Sequence, residues 1–252
     1  MGKRKIRADQ LVLQKGLAKS REEAKRLIMA GKVRLISSKG DQGQGLAKPG
    51  SLLPWDCDLA LLQSQRFVSR GGEKLLSALE HFQVQVQGVV ALDVGASSGG
   101  FTDCLLQHGA ARVYAVDVGY GQLDWKLRSD PRVQNLERVN IRYAASDLVP
   151  EYVDLAVVDC SFISLRQVLP ASLQFLRPEG QLLALVKPQF ELGKGSTDKG
   201  VVRSRSLQEE AVQGFCSFAS QELGLECWGQ VQAGLKGPKG NQEYFVLCSK
   251  PG

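Results

Sequence analysis

Residues 89–106 read VVALDVGASSGGFTDCLL. An apolar run ends in Asp93, then come Gly95, Gly99 and Gly100, and a second apolar run opens at Phe101. Glycines in that place let backbone and ligand approach closely. Three further apolar runs follow, RVYAVD (112–117), DLAVVD (154–159) and LLALVK (182–187), separated by helical or loop segments. Such uninterrupted runs suit strands buried on both faces, and their alternation with helices predicts a doubly wound, mostly parallel α/β sheet. The end of the chain differs. ECWGQVQA (226–233) and EYFVLCS (243–249) flank the turn-rich GLKGPKGNQ, which predicts an antiparallel pair at the sheet's edge.

In an open α/β sheet, ligands bind outside the carboxyl ends of the strands. Asp93, Asp117, Asp159 and Lys187 each close an apolar run, so parallel strands would bring all four to one rim. Glu243 opens the last run, and an antiparallel strand starts where the parallel ones finish. Three of these residues also have a purely structural reading. Asp159 can cap the following helix, Lys187-Pro188 can end a strand, and Glu243 can discourage edge pairing. Those readings compete one by one, but they do not explain why separate elements deliver complementary charges to one rim. Lys74, in the helix opened by SRGGEK (69–74), reads by default as a solvated surface lysine. Phe162 and Phe190, close to the rim in sequence, could stack a base, although a core position is the default for both.

The 252 residues carry a net charge of +6, spread unevenly. Residues 1–50 hold 13 Lys and Arg against 4 Asp and Glu, while the remainder holds 19 against 22. A small basic segment on a near-neutral body suggests a polyanion-binding module; a solvated charged face is the alternative. Its helices read as ADQLVLQKG (8–16), closed by Gly16, and SREEAKRLIMAG (20–31), opened by Ser20 with Glu23 as a capping box. On the second helix Arg21 and Lys25 are i,i+4 neighbours expected to project together. Residues 37–49 read as a loop.

The six cysteines form no C-x-x-C pair, and with His81 and His108 the only histidines no zinc spacing can be assembled. No metal is expected. Reduced thiols, no secretory leader and no run of about 18 apolar residues make a soluble, cytoplasmic protein without membrane contact the expectation.

DVGASSGG fits neither the G-x-G-x-x-G dinucleotide spacing nor a P-loop. It resembles the D-x-G-x-x-x-G-G loop of S-adenosylmethionine (SAM) methyltransferases. That resemblance implies cofactor contacts at Asp93, Gly95, Ser97, Gly99, Gly100 and Phe101, with Asp117 on the ribose hydroxyls. RADQLVLQKGLAKSREEAKRLIMAGKV (7–33) is similar to an S4-type RNA-binding domain. FVSRGGEKL, ALDVGASSGGFTDCLLQHGA, DLAVVDCSFISL, LVKPQFE and KGVVR resemble, in order, the TlyA family of hemolysin A and ribosomal-RNA 2′-O-methyltransferases.

The resemblance implies a Rossmann-like, FtsJ-like methyltransferase domain over residues 67–252 and a small α+β S4-like domain over 1–60, joined by a linker at 61–66. It further implies a catalytic tetrad of Lys74, Asp159, Lys187 and Glu243. The implied reaction is SAM-dependent methylation of a ribose 2′-oxygen in ribosomal RNA, at cytidine, within ribosomal subunits. The RNA contacts expected in the basic segment are Lys3, Arg4, Lys5, Arg21, Lys25 and Lys32. A non-catalytic RNA-binding protein and a membrane-damaging hemolysin are the competing readings, and oligomeric state is left open.

Overall fold

A computed structural model describes residues 4–36, 45–46, 48–61, 66–193, 195–237 and 239–252. Lys3, most of the expected 37–49 loop and most of the expected linker lie outside these residues. The chain divides into two units, residues 1–65 and 66–252.

In the first unit, strands β1 (Lys5–Arg7), β2 (Val33–Leu35), β3 (Leu52–Pro54) and β4 (Leu59–Leu61) pair as two antiparallel ribbons, β1 with β3 and β2 with β4. Helices α1 (Ala8–Gln14) and α2 (Arg21–Met29) pack over Ala8, Leu11, Val12, Ala24 and Ile28. Gly16 and Gly31 end them in left-handed conformations, the geometry that glycine adopts without strain. Ser20 Oγ accepts from the Glu23 N–H at 3.1 Å. The Glu23 carboxylate reaches back one residue further than a capping box requires, to the Lys19 N–H at 2.6 Å. All four strands are three residues long, too short for alternation to mark them in the sequence.

The second unit is built on a seven-stranded sheet. Its elements are α3 (Arg70–Phe82), β5 (Val90–Val94), α4 (Gly100–Gln107), β6 (Arg112–Asp117), α5 (Trp125–Arg128), β7 (Val133–Glu137), β8 (Val153–Val158), α6 (Leu165–Ser172), β9 (Leu176–Val186), α7 (Pro188–Glu191), α8 (Arg205–Gln221), β10 (Glu226–Gln232) and β11 (Tyr244–Ser249). The strand order is β10-β11-β9-β8-β5-β6-β7, parallel except for β11, which runs antiparallel to both its neighbours.

The apolar runs divide their residues between two faces. Ala91, Val113, Leu155, Val157 and Leu185 join α3 and α4 in one core, through Leu75, Leu79, Cys104 and Leu105. Leu92, Val94, Val116, Ala156, Val158 and Val186 join α6 and α8 in the other, through Leu165, Leu169, Val212 and Phe215. A strand with period-two side chains and helices on both faces has no polar face to spend, hence the unbroken runs. The chain leaves β5 outward to β6 and β7, then returns to β8 on the other side. The ends of β5 and β8 lie side by side, Val94 opposite Val158. This reversal of strand order opens a crevice at the carboxyl rim.

Candidate active site

The loop after β5 is shaped by close approach. Gly95 has φ +85°, and a Cβ there would lie 2.5 Å from the Asp159 carbonyl oxygen, so the loop and the end of β8 can touch only through a glycine. Gly99, at φ +93°, caps α4, and a Cβ would strike Leu127 and Leu123. Gly100 serves helix packing: its Cβ would meet Ser69 Oγ and the Gly72 nitrogen of α3 at 2.2 and 2.9 Å. Ser97, also left-handed at φ +50°, donates its N–H to Asp117 Oδ2 at 2.8 Å, while Asp117 Oδ1 accepts from the Gly119 N–H at 2.7 Å. One carboxylate thereby holds two loops and stays half-buried on the rim.

Two cavities open here. The larger, about 430 Å³, is lined by Gly95, Ser97, Asp117, Gln122, Asp159 and Phe162 among others. The smaller, about 320 Å³, is lined by Ser69, Lys74, Gly95, Ser97, Phe101 and Asp159 among others. Gly95, Ser97 and Asp159 form their common wall.

Asp93 lines neither cavity. It is fully buried beneath the loop, where Oδ2 accepts from Thr102 Oγ1 at 2.6 Å and Oδ1 has no partner among the described residues. Burial pushes its pKa up to about 7, against the Thr102 hydrogen bond and with the help of the Asp159 and Asp117 charges. Because the folded pKa lies above the unfolded one, the unfolded chain gives up this proton first. The contribution to stability is therefore greatest below the unfolded pKa of about 4 and declines as pH rises towards about 7. Asp93→Asn is expected to remove that decline. Urea midpoints between pH 4 and 8 should show the variant gaining on the wild type as pH rises; parallel curves would refute a neutral Asp93.

Four ionisable groups meet as two pairs beside the common wall. Lys187 follows β9, with Pro188 starting α7. Its buried Nζ donates to Ser161 Oγ at 2.8 Å and forms an ion pair with Asp159. Lys74 reaches from the first turns of α3 to Glu243, 2.6 Å from Nζ to Oε2, with side chains 8% and 1% exposed. The expectation of a solvated Lys74 fails: β11 arrives antiparallel and delivers a carboxylate onto it. The capping role considered for Asp159 fails too, because Ser164 caps α6. Gly237 makes room for the second pair, since a Cβ there would lie 2.3 Å from Glu243 Oε1.

Phe162 corrects a further expectation. It is 91% exposed with φ +65°, and its ring lies 5.3 Å from that of half-buried Phe190. It stands at the cavity mouth, not in the core.

Two residues were not singled out as site residues in the sequence. Ser161 takes one hydrogen bond of Lys187. Glu191 accepts from Ser164 Oγ at 2.6 Å and the Leu165 N–H at 2.9 Å, tying α7 to the start of α6; burial raises its pKa. Both lie inside the DCSFISL and LVKPQFE motifs, so position was the available signal, but their partners appear only in three dimensions.

In the first unit Arg21 and Lys25 do not form one patch. Arg21 Nε reaches buried Asp9 at 3.1 Å, and Lys25 pairs with Glu22 at 2.6 Å. Asp9 is also held by Arg7, whose hydrogen bond does most to bring its pKa down to about 2. Arg4, Lys5 and Lys32 are exposed.

Residues 67–250 match the family profile of FtsJ-like methyltransferases. The chain belongs to that family. In its TlyA branch, the Mycobacterium tuberculosis protein named 16S/23S rRNA (cytidine-2′-O)-methyltransferase TlyA is 46% identical over 96% of this chain and 89% of its own. The Brachyspira hyodysenteriae protein named hemolysin A is 35% identical over 96% of this chain and 98% of its own. A solved chain from Streptococcus thermophilus that carries the hemolysin name is 41% identical, covers 99% of this chain and 90% of its own, and superposes with a TM-score of 0.74. Residues 6–35 match the S4 domain. No described helix is long and apolar enough to cross a membrane, and the described residues include no cluster of metal-ligating side chains.

Proposed function

We propose that this chain methylates the 2′-oxygen of a ribose in ribosomal RNA, at cytidine, with SAM as methyl donor, on ribosomal subunits in the cytoplasm. The observation that carries the reading is Lys187, held by Asp159 and Ser161 beside the wall shared by both cavities. The cofactor fits the residues present. Asp117, with carboxylate lone pairs to spare on the rim, suits a ribose diol, and Gly95 offers close-approach backbone that a Cβ would fill, next to the left-handed turn at Ser97. Phe101 and Gly99 back that wall, and Asp93 supports it from below. SAM when bound supplies a methyl group on a positively charged sulfur, and the chain's residues must prepare the oxygen that accepts it.

A ribose hydroxyl is a poor nucleophile until its proton is drawn away. Asp159 and Ser161 take two of the three N–H directions of the Lys187 ammonium, leaving the third for the substrate oxygen. A fixed cation in a water-poor site stabilises developing oxyanion charge, and the ion pair with Asp159 fits that role better than a neutral lysine base. Lys74 lines the smaller cavity and is held rigid from behind by Glu243, and together they position the ribose. Arg4, Lys5, Lys32 and Lys3, with the outer faces of Arg21 and Lys25, supply phosphate contacts that give affinity more than sequence choice.

Incubating the protein with labelled SAM and undermethylated small and large ribosomal subunits tests the reading. Label is expected in RNA at a position resistant to alkaline cleavage, as 2′-O-methylation requires. A folded, SAM-binding protein that labels neither subunit would overturn the substrate assignment. Phe162→Ala should lower kcat/KM for RNA by about 5- to 150-fold, because stacking on an aromatic side chain is worth about 1–3 kcal/mol per base. SAM affinity should not change; an unchanged kcat/KM would remove Phe162 from the RNA path.

A further inference from the structure

Three of the six cysteines gather far from the rim, where β10, β11 and α8 meet. Cys227 and Cys248 are directly opposed across the antiparallel β10–β11 pair, with Sγ atoms 3.3 Å apart. The Cys227 thiol also approaches the Cys216 carbonyl oxygen of α8, at 3.9 Å. Directly opposed residues of antiparallel strands have Cα atoms about 4.5–5.5 Å apart, inside the range that a disulfide spans. Burial is unequal: Cys227 is exposed on the edge strand, whereas Cys248 is fully buried behind it. The strand register shifts just after Cys227, leaving Trp228 unpaired, and the indole N–H donates to Ser249 Oγ at 2.8 Å. This anchors the bulge beside the pair.

We propose that Cys227 and Cys248 form a redox modification site, an exposed thiol that reacts with peroxides backed by a buried thiol that resolves it into a disulfide. The Cys227 thiolate attacks one peroxide oxygen and the O–O bond breaks. The departing hydroxide takes up the proton that the Cys227 thiol released and leaves as water, and Cys227 becomes a sulfenic acid. The Cys248 sulfur then displaces the hydroxyl from Cys227, the S–S bond forms, and a second water departs with the Cys248 proton. Two thiols are oxidised by two electrons and one peroxide is reduced. An exposed thiol poised next to a resolving cysteine is the arrangement that such chemistry needs.

The order of attack follows from the surroundings. Burial, followed by the neighbouring Cys227, pushes the Cys216 thiol up to about 11 and raises that of Cys248 as well. Both therefore stay protonated and poorly nucleophilic while Cys227 meets the solvent. The Cys216 thiol also lies within hydrogen-bonding reach of Cys227, but it sits on a helix, whereas Cys248 stands in direct strand register with Cys227, 3.3 Å between the Sγ atoms; that register makes Cys248 the resolving partner. The bond would close the segment from Cys227 to Cys248, which contains Glu243, and would join edge strand β10 covalently to the sheet.

The test treats the full chain with hydrogen peroxide, blocks remaining thiols and maps the unreduced peptides by mass spectrometry. A Cys227–Cys248 link, with the loss of two hydrogens and reversal by dithiothreitol, is expected. Cys248→Ala should strand the intermediate, raising a sulfenic-acid-specific dimedone adduct at Cys227 about tenfold over the wild type. Cys216→Ser should still form the link. A Cys216–Cys227 link, or oxidised wild-type protein with Cys248 alkylated as a free thiol, would overturn the proposal. The wild-type map decides the matter even if a variant fails to fold.

Discussion

Lys187→Ala is expected to lower the rate of methyl transfer by about 10³-fold or more, with SAM affinity kept within about twofold and the fold intact. The magnitude follows from the position. Removing one preorganised donor at a developing oxyanion costs about 10²–10³ in kcat, and here the same change leaves the Asp159 carboxylate facing the reacting oxygen with its charge uncompensated. Like charge at that place opposes the step that Lys187 favours. Asp159 is partly exposed, so water can solvate it in the variant and the fold survives. The loss should fall on kcat, since neither cavity depends on the lysine side chain for its glycine wall. Lys187→Arg keeps the charge but replaces a compact ammonium by a planar fork, which cannot meet Asp159, Ser161 and the substrate in the same three directions. It should recover only a small fraction of the activity. Ser161→Ala, which frees one of those directions, should weaken transfer without abolishing it. Single-turnover rates with saturating SAM and RNA measure each step. Wild-type kcat in Lys187→Ala would remove the residue from the reaction and return the rim to a structural role.

The rim was legible because strand ends are legible. Asp93, Asp117, Asp159 and Lys187 follow unbroken apolar runs, and the direction of a parallel strand dictates where such residues arrive. Glu243 required one further step, the antiparallel sense of the last strand. Lys74 could be placed by resemblance alone: nothing in RGGEKL distinguishes a buried lysine from a solvated one, since the partner that buries it lies 169 residues away. β7 was missed for a related reason. At the sheet's edge only Val133 is buried, and VQNLE shows neither an apolar run nor clear alternation. Local pattern also misread side-chain direction. Arg21 and Lys25 are helical neighbours as expected, yet buried Asp9 draws one away and Glu22 holds the other. Phe162, apolar in sequence, is exposed because a left-handed backbone residue turns it outward.

Lys74 and Glu243 should separate stability from activity. Breaking a buried ion pair by removing one partner costs about 3–5 kcal/mol, because the other charge stays buried without compensation. Both side chains here are almost wholly covered, so Lys74→Met or Glu243→Leu alone should cost several kcal/mol. Calorimetry should show the transition of residues 66–252 falling by about 10 °C, at the usual 2–4 °C per kcal/mol for a domain of this size. The double variant Lys74→Met/Glu243→Leu removes both charges at once. Apolar replacement of a whole buried pair is often neutral or stabilising, so much of the lost stability should return. Methyl transfer should not return with it. If the pair only held α3 against β11, the restored fold would restore the rate; if it positions the ribose, a stable protein with a wild-type melting temperature remains inactive. A double variant that regains both would assign Lys74 and Glu243 to the scaffold and leave Lys187 and Asp159 to act alone.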